Sequence, residues 1–206
     1  MAITLDNCND ARINRRHEDG YLTRLTEDLT ADTATFAFVD RALQRKQASL
    51  ALVDSVLHGD AVLRDTTTFL QAIISGSNFS WNQPRVRTTT FQELHSTGNL
   101  RLLRDPHLRA AIVRYYASAE SDYLRIAGRR TRYGALTYEL LPRQTEFALD
   151  SAKARMRSGP LVQTIMRSDL AAAIVAERNL ANFVYEINAG LRLRSLELLQ
   201  RVERHH

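Results

Sequence analysis

Leu22, Leu25, Leu29, Asp32, Phe36, Val39, Leu43, Lys46, Leu50, Val53 and Leu57 follow one another at alternating intervals of three and four residues. That spacing keeps one face of a helix apolar through five heptads, and a seam so long needs partner helices along its whole length. A continuous helix from about Asp10 to Leu57 spans on the order of 70 Å at 1.5 Å per residue. Gly20 costs it only about 1 kcal/mol. Asp32 and Lys46 interrupt the seam, as register-setting or bundle-edge residues do. The expected fold is all-α: an elongated antiparallel bundle with one very long N-terminal helix, two further long helices and several short ones.

The remaining punctuation agrees. Gly59 ends the first helix, and Asp60 is expected to cap a second that carries Val62, Leu63, Thr66, Phe69, Leu70, Ile73 and Ile74 and stops at Gly76. Residues 76–89 form the main irregular connection and hold the only tryptophan, Trp81. Thr90 and Glu93 are spaced as a capping box, Gly98 stops the short helix they open, and Asp105-Pro106 restarts a long one. Leu108, Ile112, Tyr115, Ala119, Tyr123 and Ile126 make its apolar face, and the helix is expected to continue past Tyr133 to Leu141, where Pro142 ends it. Ser158-Gly159-Pro160 reads as a corner, followed by a short element from Leu161 to Met166. Ser168-Asp169 caps a last helix to about Glu203, with Leu170, Ile174, Glu177, Leu180, Val184, Ile187, Leu191 and Leu198 on its face. Residues 10–204 are thus expected to be a single helical bundle domain, and residues 1–9 a separate leading remnant. Leu108–Val113 parallels Leu170–Val175, and the same offset pairs Tyr123 with Tyr185 and Ala127-Gly128 with Ala189-Gly190. This raises an internal duplication of "short helix, corner, long helix", against the plainer reading that alanine- and leucine-rich helices often match.

Composition narrows the function. A chain of 206 residues with 44% hydrophobic and 25% charged residues can bury a substantial core. The net charge of +5 suits an anionic partner. The arginines are scattered rather than interleaved with aromatics, so no nucleic-acid partner is expected. Cys8 is the only cysteine, which leaves no internal disulfide or thiolate zinc site. No run of 18 apolar residues and no signal peptide is visible. The terminal His205-His206 reads as the stub of a purification tag.

Strand–glycine–helix phosphate sites and His-Glu-x-x-His or Glu-x-x-His ligand pairs are missing, so neither a cofactor nor a metal site is expected. His95 and Ser96 are neighbours on a helix and point apart, and Glu93 with His95 fails likewise, so no catalytic residue is assigned. His17, His58 and His107 read as surface residues. Two binding surfaces remain. One sets Trp81, Arg85 and Arg87 against Tyr115 and Tyr116, an aromatic platform with two arginines for an anionic or planar group, against the plainer reading of a plugged bundle end. The other is Arg129-Arg130-x-Arg132-Tyr133, against the plainer reading of a solvated helix end.

Leu5-Asp6-Asn7-Cys8-Asn9-Asp10-Ala11-Arg12, then Glu18-x-x-Tyr21-Leu22-x-x-Leu25-x-x-Asp28-Leu29, and above all Thr90-Phe91-x-x-Leu94-x-Ser96-x-Gly98-Asn99-Leu100-x-Leu102-Leu103 with Leu108, Tyr115 and Tyr116, carry a resemblance. The chain resembles a bacterial family of small single-pass membrane proteins without an established activity. In that family a short basic N-terminus and one membrane helix precede a helical domain; Cys8 stands where the family usually has tryptophan. The resemblance implies that Met1 follows a missing N-terminal membrane helix, and that the domain faces the periplasm from the bacterial inner membrane. Arg12, Arg15 and Arg16 then lie beside lipid headgroups. The leading expectation is a non-catalytic, membrane-tethered interaction, scaffold or sensor-like module with an unidentified protein partner, self-associating through helix 1. The alternative is a small anionic-ligand receptor with a pocket between helices near Trp81, Arg87 and Tyr116, and the remote one an enzyme of unrecognised type.

Overall fold

The computed structural model of the chain describes residues 2–77, 85–141 and 151–205, with side chains for residues 12–77, 85–141 and 159–205. Within them the protein is all-helical, without a strand: α1 (Ala2–Leu57), α2 (Thr66–Ser77), α3 (Thr89–Ser96), a 3-10 turn η1 (Asn99–Leu102), α4 (Pro106–Ile126), α5 (Arg132–Leu140), α6 (Ser151–Met166) and α7 (Leu170–Arg204). The seam read from the sequence is the buried face of α1, for every one of its positions from Leu22 to Val53 is buried. Asp32 and Lys46 lie on that face as well, at 1% and 2% exposure, so neither is an edge residue.

Local chemistry explains where the helices begin. Asp65, not Asp60, caps α2, its carboxylate accepting from the amides of Thr67 and Thr68 at 3.0 and 3.3 Å. Val62 precedes the helix and is 83% exposed. Asp105 opens α4 as expected, accepting from the His107 amide at 2.8 Å, a bond that holds its carboxyl below the usual carboxylate range. Ser168 accepts from the Leu170 amide at 3.3 Å to start α7.

Four expectations are corrected. The Thr90 and Glu93 capping box does not form: α3 begins at Thr89 without a side-chain cap bond, and both side chains are drawn to α1 instead. Gly76 does not stop α2 but lies buried within it. The long helix after Pro106 ends at Ile126, because Gly128 takes a left-handed conformation (φ +79°) and Thr131 recaps the chain as α5. Ser158-Gly159-Pro160 is no corner: α6 runs through all three residues. The interior proline has no amide to donate and crowds the preceding turn, while Val162 and Ile165 on the same helix are buried. That last difference also separates the two proposed repeats, since Gly98 sits at φ +70° in a true corner while Gly159 is helical.

The domain expected over residues 10–204 gathers into two compact units. Unit 1 comprises Met1–Phe38, Pro84–Arg125 and Asn188–His206. Its core joins Tyr21, Leu22, Leu25 and Leu29 of α1 to Leu94, Leu103, Leu108, Ile112, Tyr115 and Tyr116, and to Leu198 and Val202 of α7. Unit 2 comprises Val39–Gln83 and Ile126–Ile187. Here Leu50, Val53 and Val56 meet Phe69, Leu70 and Ile73 of α2, Tyr133 of α5, Val162 and Ile165 of α6, and Leu170 and Ile174 of α7. Helix α2 packs on α5 and α6, which also touch each other.

Candidate functional site

In unit 1 a polar stripe on α1 faces the α3–η1–α4 corner. Glu18, Tyr21, Arg24, Asp28 and Asp32 recur every three or four residues, so they share a helical face beside the apolar seam. Glu18, only 6% exposed, accepts from the amide of Arg104 at 2.8 Å and from its Nε at 2.5 Å. Arg24 lies over the Tyr21 ring at 4.6 Å and pairs with Glu93 at 2.6 Å. That pairing raises the Arg24 pKa and lowers that of Glu93. Tyr21 donates to Glu93 at 3.1 Å and accepts from the Asn99 amide group at 2.8 Å. Thr90 donates to Asp28 at 2.6 Å. Two α1 carboxylates thus accept backbone amides from connecting segments, Glu18 that of Arg104 and Asp32 that of Arg87.

Asp32 is the innermost member of the stripe. Its carboxylate accepts the Arg87 amide at 3.0 and 3.3 Å and the Tyr115 hydroxyl at 3.4 Å. Burial pushes its pKa up to about 6 against those two donors, and the nearby Asp28 charge pushes the same way. Burial likewise raises the pKa of Tyr115 and Tyr116. Tyr116 stacks on Phe91 with centroids 4.3 Å apart and meets Tyr115 edge-on at 5.0 Å. Both tyrosines are 4% exposed, so the expected platform is enclosed and offers no open face. Arg87 is held by its backbone, whereas Arg85 lies over the Tyr123 ring at 4.6 Å and donates to the Tyr123 hydroxyl. Trp81 lies outside the described residues. The set Trp81, Arg85, Arg87, Tyr115 and Tyr116 therefore divides: Arg87 and Tyr115 meet at Asp32, Tyr116 packs beside Tyr115, and Arg85 goes to Tyr123.

Helix α7 supplies two polar contacts to the same unit. Asn188 donates to the Phe36 carbonyl at 2.9 Å and Ser195 to that of Leu29 at 3.4 Å, both fully buried. In unit 2 the buried pair is Lys46 and Glu177, 2.5 Å apart, with Thr131 donating to the second carboxylate oxygen. Burial lowers the Lys46 pKa while Glu177 opposes the shift. Removing one partner of such a pair typically costs about 3–5 kcal/mol, because the other charge stays buried. Of the second expected surface, Arg129 covers the Phe183 ring at 4.7 Å, Arg132 approaches Asp169 at 3.8 Å and Tyr133 is fully buried. His17, His95, Ser96 and His107 are exposed. His205 is 2.9 Å from Asp105. Arg12, Arg15 and Arg16 are exposed on α1.

A groove that the sequence reading did not single out lies in unit 1 between α4 and α7. Ala111, Arg114, Tyr115 and Ser118 line one side and Arg194, Glu197, Leu198 and Arg201 the other, around a volume of about 260 Å³. Each set repeats as i, i+3, i+4, i+7, one stripe of each helix, and that repeat was the available signal. Among the described residues no group of three or more His, Cys, Asp or Glu side chains is placed to hold a metal ion. No described helix is long and apolar enough to cross a membrane.

The architecture and these sites define an all-α bundle protein with one charge pair, Lys46 and Glu177, buried on both sides among the described residues. Compared with known proteins, the chain matches no family model, no curated protein and no solved structure.

Proposed function

We propose that the protein is a non-catalytic, membrane-tethered interaction module, a scaffold or sensor-like domain that presents a protein-binding surface beside an anionic bilayer. The observation that carries the reading is the contrast along α1. Arg12, Arg15 and Arg16 share one helical face at i, i+3 and i+4 and are all exposed. Beginning at Glu18, the same helix is fixed by its salt bridge to Arg104 and by the buried seam. Like charges on one helical face repel each other, and an anionic surface relieves that repulsion. The reading sets the module at the periplasmic face of a bacterial inner membrane, the side that the family resemblance implies, with its scaffolding partner another protein.

Sedimentation with vesicles tests it. The protein should pellet with phosphatidylglycerol vesicles and stay in solution with phosphatidylcholine. At about 1 kcal/mol per basic residue, reversing Arg12, Arg15 and Arg16 to Glu should weaken that partition by on the order of a hundredfold or more. Equal binding to neutral and anionic vesicles sinks the proposal.

A further inference from the structure

We propose that the α4–α7 groove of unit 1 is a binding site for a small phosphate-bearing molecule, held by Arg114, Arg194 and Arg201. The groove is shallow and open to solvent, and three arginines from its two helices line the same volume. Arg194 is positioned by Asp122, a carboxylate that it shares with Arg125 at 3.1 Å. Arg114 and Arg201 are exposed, with no ion pair or hydrogen bond to a described residue, so both guanidiniums remain available to a ligand. Glu197 is the one carboxylate in the lining, and the surplus of two positive charges matches the dianion of a phosphate monoester.

The other lining groups complete the match. Ala111 and the edge of Leu198 give the groove an apolar patch for the carbon part of the ligand, and Ser118 donates its hydroxyl to the Tyr115 carbonyl at 2.9 Å, which fixes the α4 side of the groove. A volume of about 260 Å³ admits a phosphate with a few carbon atoms. Planar guanidinium forks bind phosphate oxygens two at a time. The site is distinct from the Arg12, Arg15 and Arg16 face, and either proposal can fail alone.

Calorimetric titration at fixed ionic strength tests it with two probes, inorganic phosphate and a short-chain phosphatidylglycerol below its micelle concentration. Binding of inorganic phosphate assigns a soluble phosphate compound; binding of the lipid alone assigns a headgroup. In either case Arg114→Gln and Arg201→Gln should each weaken binding several-fold, and together about tenfold or more, while Arg101→Gln, the same single charge loss on exposed η1, should leave it unchanged. Unaltered thermal unfolding of the double variant shows that the loss is local. Absence of binding by both probes at millimolar concentration, or equal weakening by Arg101→Gln, overturns the proposal.

Discussion

A carboxylate under a helix face titrates against the fold that encloses it, and Asp32 is the residue where this matters most. Its pKa is 3.8 when unfolded and about 6 when folded. Between those values the folded protein keeps a proton that the unfolded chain has lost, so this residue's contribution is greatest below about pH 4. The contribution declines as pH rises through the folded pKa and stays lower above it. The size is on the order of 3 kcal/mol. Asp28, Arg87, Tyr115 and Tyr116 surround the group, and Arg194 reaches Tyr115. Asp32→Asn keeps an acceptor for the Arg87 amide and removes the charge. Thermal unfolding from about pH 4 to about pH 8 should therefore show the variant gaining on the wild type across the window from 4 to 6. Glu93 and Asp105, whose pKa values are lowered, slope the other way in both proteins, so the difference between the two curves is the readout. Parallel curves assign the pH dependence elsewhere. The sequence singled out Asp32 and Lys46 as breaks in an apolar seam. It could not say that each is buried against a partner more than fifty residues away, because Arg87 and Glu177 meet them only after the chain has turned back.

At the scale of elements, the seam of α1 and the face of α7 were legible because period alone decides which side of a helix is apolar. Boundaries were legible where one residue acts alone, as at Asp105-Pro106 and Gly98. They failed where tertiary contacts compete with local ones: Thr90 and Glu93 prefer Asp28 and Arg24 to their own amides, and α6 continues through Pro160. Glycines show the same competition in measurable form. Gly20 lies within α1 with nothing within 4 Å of an added Cβ. Gly20→Ala should therefore stabilise the protein by up to about 1 kcal/mol through helix propensity. Gly76 also lies in a helix, but a Cβ there comes 2.7 Å from Leu50 Cδ2 and 3.0 Å from the Tyr133 hydroxyl, both on fully buried residues. Overpacking of this kind costs about 1–3 kcal/mol, which exceeds the propensity gain of about 1 kcal/mol, so Gly76→Ala should destabilise. Urea unfolding of the two variants should move the midpoints in opposite directions. A stabilised Gly76→Ala would mean that Leu50 yields at no cost.

For the whole molecule, the seam bears on self-association. Five heptads of apolar spacing led to the expectation that α1 pairs with a second copy of itself, since a seam can exceed what its own chain covers. Each chain covers it from Leu22 to Val53, in unit 1 by α3, η1, α4 and α7, and in unit 2 by α2, α5, α6 and α7. Among the described residues the large apolar side chains that remain exposed are spread over the molecule: Ile13, Phe38 and Leu52 along α1, Val62 before α2, Val113 and Leu124 on α4, Tyr138 on α5, Met166 on α6, and Val175, Leu193 and Leu196 on α7. Scattered exposed apolar residues of this kind are ordinary on a monomer. The net charge of +5 adds repulsion between copies. Light scattering at high protein concentration should therefore report the mass of one chain, 23.4 kDa. Raising the salt separates the two contributions, because salt screens the repulsion and leaves the burial of the seam untouched. A single-chain mass at both low and high salt is the result that a covered seam requires. Dimers appearing only at high salt would show charge, not coverage, to be what keeps copies apart, and dimers at low salt would show that another surface holds them together.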